Sequence, residues 1–130
     1  MSEQKLKSTI PFEGEAITRF RVYPKQMDNL LFTFCILAQR ADRWVGDTAV
    51  RSTNNPHYWE EVSQGATMTI YDKSVGCVRY LDSEQLMQGI RRWIESGEGN
   101  IHNGQIEVDY DEVIADRIVQ YALFEEVRYE

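Results

Sequence analysis

The sequence has only two cysteines and three prolines among its 130 residues, and it has no long hydrophobic run. Two cysteines exclude a fold that several disulfides hold together. The longest apolar stretch, residues 30–38, is interrupted by Thr33 and is far too short to span a bilayer. The first residues lack the hydrophobic segment of a secretory signal. We therefore expect a cytoplasmic protein with reduced thiols that does not bind membranes.

Motifs that bind nucleotides or metals are also missing. No glycine-rich phosphate-binding loop occurs, because the glycines at 97, 99 and 104 follow a predicted helix instead of opening one. A zinc site needs three or four closely spaced ligands, whereas Cys35, Cys77, His57 and His102 lie far apart in the sequence. We expect both cysteines to be small buried hydrophobic residues, and we expect no metal, no cofactor and no enzymatic activity. The alternative is a small-ligand binder or hydrolase that uses residues 39–65, or a Cys77–His57 catalytic pair.

Positive charge is scarce at the end of the chain. The net charge is −7, and residues 98–130 account for all of it, with nine acidic residues and two basic ones. Direct nucleic-acid binding needs clustered lysine and arginine, so this charge argues against it and against an anionic membrane surface. Two interpretations remain: a solvated face that keeps the protein soluble, or a docking surface for a protein with a basic surface.

Alternating apolar and polar residues, which are typical of strands, occur in several segments. They predict strands at 16–23, 31–37, 66–71, 77–81 and 106–110, the third and fourth forming a hairpin. Pro24 is expected to end the first strand. Residues 39–65 have no clean period, although Asn55 and Pro56 predict a short helix that ends near Gly65.

Two segments show helical periodicity. Residues 83–96 follow Asp82, and Gln85 three positions later completes an approximate capping box. Asp111 and Glu112 open a second helix, at the end where the helix dipole favours acids. The buried stripe of this second helix is predicted to contain Ile114, Ile118, Tyr121 and Ala122.

Strands that precede helices in the chain indicate an α+β fold. The apolar fraction of 42% and the charged fraction of 27% are ordinary for a globular domain. We predict a single domain over residues 1–130, with residues 1–15 as a flexible lead-in. Its core is expected to be a mainly antiparallel sheet of four to five strands, with two main helices packed on one face.

Two groups of residues are candidates for partner binding. The first is a set of carboxylates at the junction of the last strand and helix, which we expect to be exposed and to project together: Asp109, Asp111, Glu112 and Asp116. This segment contains no glycine and runs straight into a helix, so it does not match an EF-hand calcium loop. The second group is Trp44, Tyr58 and Trp59, which are either interface anchors or residues that pack over the sheet.

The segment from Ala115 to Tyr129, ADRIVQYALFEEVRY, resembles the C-terminal ends of small uncharacterised proteins of bacterial phages and mobile elements. The Tyr80-Leu81-Asp82 entry into an amphipathic helix is similar as well. This resemblance implies no activity and no catalytic residue. Small acidic mobile-element proteins include inhibitors of host defence such as anti-CRISPR proteins, many of which occupy a basic nucleic-acid channel; this is an analogy.

These observations favour a non-enzymatic acidic protein-binding module. Its expected biological form is an inhibitor of a nucleic-acid-binding host protein, of the anti-defence, anti-CRISPR or immunity type. The main alternative is a structural or accessory protein of a mobile element without inhibitory activity.

Overall fold

The computed structural model describes residues 20–37, 40–102, 104–107 and 111–130. The predicted lead-in 1–15, most of the predicted strand 16–23 and Asp109 lie outside these residues. The elements, in chain order, are α1 (Pro24–Leu37), β1 (Val45–Ala49), a 3₁₀ helix (Tyr58–Gln64), β2 (Met68–Asp72), β3 (Cys77–Leu81), α2 (Ser83–Glu95), β4 (Asn100–His102), β5 (Gln105–Glu107) and α3 (Glu112–Phe124).

Helix α1 occupies the segment 31–37, for which the sequence analysis predicted a central strand, and that prediction is wrong. Pro24 is the first helical residue, where its missing N–H costs nothing, so it begins an element instead of ending one. Gln26 supports this start, because its Oε1 accepts from the Tyr23 N–H at 2.8 Å. The buried residues recur at helical spacing, and they are Met27, Leu30, Leu31, Phe34 and Cys35.

The sheet has three strands in the order β1-β2-β3, and both neighbouring pairs are antiparallel. The β2–β3 hairpin was predicted, and its register pairs Met68 with Leu81 and Asp72 with Cys77. Met68, Ile70 and Leu81 are buried, whereas their neighbours along the strands face outward. One face of the sheet therefore covers the core, and the other is exposed.

The α+β class is confirmed, but in the residues that the structure describes the sheet has three strands instead of the four to five predicted. In the described residues, β4 and β5 form a separate two-stranded hairpin. The predicted strand 106–110 is represented there by β5, which ends at Glu107. The described helices are three α-helices and the 3₁₀ helix. The 3₁₀ helix is the short helix that was predicted to end near Gly65, although it begins at Tyr58 and not at Pro56, and α1 was not predicted.

The predicted cap of α2 is confirmed. The Asp82 side chain accepts from the Gln85 N–H, and the Gln85 side chain accepts from the Asp82 N–H, both at 2.8 Å. Gly97 follows the helix with a φ of 88°, a conformation in which glycine is not strained. Trp93 on this helix is buried, as helical periodicity requires.

Helices α2 and α3 cross in close contact at Gly89. A Cβ atom at this position would lie 2.6 Å from the backbone oxygen of Ile118 and 2.7 Å from the Cβ of Ala122. Both distances are far below van der Waals contact, so the two helices approach each other only because residue 89 has no side chain.

We predict that Gly89→Ala destabilises the protein by about 1–3 kcal/mol, because overpacking pushes α3 away from α2. In an open helix the same substitution would stabilise by about 1 kcal/mol, so the sign of the effect tests the packing. Urea unfolding, monitored by circular dichroism, measures the change in the free energy of unfolding. Gln88→Ala on the exposed side of α2 is the matched control, with an expected effect within about 0.5 kcal/mol. A stabilised Gly89→Ala variant would contradict the close crossing.

Candidate functional site

Asp116, which was expected among the exposed acids, is buried in α3 and is only 4% exposed. Its carboxylate accepts from the Trp44 indole N–H at 2.8 Å and from the Gln120 amide at 3.1 Å. It also forms an ion pair with the Arg43 guanidinium. The expectation of exposure is therefore wrong, because three donors from two separate segments surround this carboxylate and keep it inside the protein.

Gln120, one turn further along α3, is completely buried and holds residues 127–130, called the tail below. Its Oε1 accepts from the backbone N–H groups of Arg128 and Tyr129, both at 2.7 Å. Its Nε2 donates to the Tyr129 carbonyl at 2.8 Å and to Asp116. Both hydrogens and both acceptor positions of the amide are used, which is the full capacity of the group.

Trp44 packs in the core at 6% exposure, so packing and not surface anchoring describes this residue. Tyr129 of the tail stacks on it, with ring centroids 5.2 Å apart. The Tyr129 hydroxyl donates to the buried Asp72 carboxylate at 3.0 Å. Arg79 also binds Asp72, through two guanidinium N–H groups at 3.0–3.1 Å. The tail is thereby fixed against both the sheet and α3.

Two other predicted carboxylates, Asp111 and Glu112, lie within the described residues and are more exposed than Asp116. Asp111 is exposed and caps α3, accepting from the Val113 N–H at 2.7 Å. Glu112 lies partly exposed and pairs with Arg40 at 3.0 Å. These two acids share the start of α3, and their role in partner binding stays a prediction.

A second ion-pair cluster ties the end of the tail to α3. Arg117 lies between the carboxylates of Glu98 and Glu130. The hydrogen bond from Arg117, helped by the Tyr121 and Ser96 hydroxyls, lowers the pKa of Glu98 to about 2. Glu98 is therefore charged at all ordinary pH values, and Arg117 is engaged by two carboxylates.

Tyr58 and Trp59 begin the 3₁₀ helix, and their rings contact each other edge to face, with centroids 5.3 Å apart. The Tyr58 hydroxyl lies 2.6 Å from the Thr48 hydroxyl, next to Cys35. Burial raises the pKa of the Cys35 thiol, which keeps it protonated and is the opposite of the activation that a nucleophile needs. Cys77 is half-buried, and both cysteines are free.

Trp59 is half-buried and belongs to an exposed patch that the sequence analysis did not predict. Its ring lies 5.2 Å from the rings of both Phe32 and His57. Phe32 is 45% exposed, and Ile36 lies one turn further along the same side of α1 and is exposed as well. We call Phe32, Ile36, His57 and Trp59 the exposed patch. Phe32 and Ile36 are four residues apart, as on one side of a helix, and this spacing is the signal that would have located their part of the patch.

Carboxylates dominate the two elements that carry the exposed patch. Helix α1 and the 3₁₀ helix together contain Asp28, Glu60 and Glu61 but only one cation, Lys25. Glu60 approaches His57, with 4.0 Å between Oε2 and Nδ1. The patch thus lies on two elements with more carboxylates than cations, and Glu60 is placed next to it.

Other kinds of site were sought as well. Among the residues that the structure describes, no three His, Cys, Asp or Glu side chains lie together so as to hold a metal ion. In the same part of the chain, every helix is too short or too polar to cross a membrane. Comparison with protein-family models, curated proteins and solved structures finds no match for this chain.

We predict that Asp116→Ala destabilises the protein by about 3–5 kcal/mol, because it leaves a largely buried guanidinium and an indole N–H without their acceptor. The exposed pair of Glu112 with Arg40 contributes little, so Glu112→Ala should cost less than about 1 kcal/mol. Thermal and urea unfolding of both variants measure the difference. Equal losses for the two variants would contradict the buried network.

Proposed function

We propose that this chain is a non-enzymatic module that binds a protein with a basic surface through the exposed patch. The observation that carries the proposal is the contact of the exposed Phe32 ring with the half-buried Trp59 ring, on two elements that carry three carboxylates and one lysine. Aromatic side chains bury a large area and lose few rotamers on binding, which makes them frequent energetic centres of interfaces.

The charges of α1 and the 3₁₀ helix indicate the kind of partner that would bind. Three carboxylates and one lysine on α1 and the 3₁₀ helix favour a cationic surface, as does the net charge of −7. Such rim charges act mainly on the association rate, and salt screens them. Asp111 and Glu112 add negative charge at the start of α3. The same charges disfavour direct nucleic-acid binding.

The biological form that we propose is a cytoplasmic inhibitor that covers the basic nucleic-acid-binding surface of a host protein, of the anti-defence type. The acidic composition and the resemblance of the C-terminal segment to mobile-element proteins support it. An accessory protein without inhibitory activity would bind its partner and leave the partner's nucleic-acid binding unchanged, so one assay distinguishes the two.

The test uses the full chain as immobilised bait in a lysate of the cells that carry the gene. We expect a protein with a basic surface to bind, and about 0.5 M salt to weaken its binding, since added salt screens rim charges. The variant Phe32→Ser/Ile36→Ser should weaken the purified complex at least about tenfold, because it removes apolar anchors. Glu60→Gln should slow association at low salt and leave dissociation nearly unchanged.

The controls change matched residues outside the exposed patch. Val75→Ser/Val78→Ser removes two comparably exposed apolar side chains from the β2–β3 hairpin, and Glu84→Gln removes an exposed carboxylate from α2. Both should bind as the unchanged chain does. If Phe32→Ser/Ile36→Ser and Val75→Ser/Val78→Ser weaken the complex equally, the proposed binding surface is contradicted. If the partner binds nucleic acid equally well with and without this chain, the proposed inhibitory role is contradicted.

A further inference from the structure

A cavity of about 570 Å³ lies where the tail meets the segment before β1 and the β2–β3 turn. Its walls include Trp44 and Tyr129, the stacked pair that fixes the tail. This volume lies within the range of small-molecule sites, roughly 300–1,000 Å³. The cavity is distinct from the exposed patch, since it shares no lining residue with it.

The cavity is lined by three cations in a protein that is strongly acidic overall: Arg43, Lys73 and Arg128. Two carboxylates, Asp42 and Glu130, also line it. Each of these carboxylates shares an arginine outside the lining with a second carboxylate: Arg40 also binds Glu112, and Arg117 also binds Glu98. Asp42 lies 3.6 Å from Arg40, and Glu130 lies 3.2 Å from Arg117.

Two of the three cations keep their charge available to the cavity. Arg43 is neutralised by Asp116, whereas Lys73 forms its hydrogen bond with an uncharged acceptor, the Ala41 carbonyl, at 3.1 Å. In the described part of the chain, the ion pair of Arg128 is a long contact of 4.0 Å with the exposed carboxylate of Glu126. Lys73 and Arg128 therefore keep N–H donors available to the cavity.

Both side chains are held in place before any ligand arrives. The bond to Ala41 fixes the Lys73 ammonium and leaves two of its three N–H donors. The Arg128 guanidinium lies 4.2 Å from the centroid of the Phe124 ring, a cation–π contact. Preorganised donors lose less conformational entropy on binding.

We propose that this cavity binds a small molecule with a phosphate monoester group. A phosphate offers three acceptor oxygens, which match an ammonium, a guanidinium fork and the Ser74 hydroxyl that also lines the cavity. The volume leaves room for a carbon skeleton along Tyr129. Part of the site belongs to residues 39–65, the segment that the sequence analysis connected with a small-ligand binder.

The test titrates the full chain with phenyl phosphate and with inorganic phosphate. Calorimetry and amide chemical shifts measure the binding. We expect saturable binding of phenyl phosphate, with a Kd of about 1 mM or tighter, and the largest shifts at Lys73, Ser74 and Tyr129. Lys73→Gln should weaken binding at least about tenfold, because it removes a charge-assisted contact. Ser74→Ala, a milder change, should weaken binding several-fold with the fold intact.

Lys25→Gln is the matched control, because it removes the same charge from an exposed lysine of α1, outside the cavity. It should leave the Kd unchanged, and phenol, which lacks the phosphate, should not bind. If neither phenyl phosphate nor inorganic phosphate binds saturably, the proposal is overturned. Equal weakening by Lys73→Gln and Lys25→Gln, or binding of phenol as tight as that of phenyl phosphate, would overturn it as well.

Discussion

The side-chain amide of Gln120 is the polar group on which the arrangement of this protein's interior depends. It is fully buried, and it joins α3 to the tail and to Asp116. A buried amide is costly unless its hydrogen-bonding positions are filled, and here the tail backbone and one carboxylate fill all of them. The tail must therefore occupy one place, and Tyr129 must lie on Trp44.

The same constraint accounts for the two surfaces to which we assign binding. Once the tail is fixed, Arg128 and Tyr129 form a wall of the cavity beside Lys73. Since Trp44 is covered by the tail and its indole N–H is used by Asp116, it cannot serve as a surface anchor. Of the three aromatic residues predicted as anchors, Trp59 is the one that lies in the exposed patch, where it contacts Phe32.

Local signals in the sequence predicted the parts of the fold that local chemistry decides. The capping box at Asp82, the β2–β3 hairpin and the start of α3 are of this kind. The strand predicted at 31–37 was wrong because a short apolar run fits a strand as well as a buried helix. The spacing of the buried residues over the longer window 27–35 is that of a helix. Burial of Asp116 could not be predicted, because its donor Trp44 is 72 residues away.

Amide hydrogen exchange of the tail tests the central claim most directly. If Gln120 holds the tail as described, the N–H groups of Arg128 and Tyr129 should exchange far more slowly than an unstructured chain of the same sequence, by about 100-fold or more. The exposed Glu126 amide, which has no such acceptor in the described hydrogen bonds, should exchange fast. Exchange of Arg128 and Tyr129 at the unstructured rate would contradict the claim.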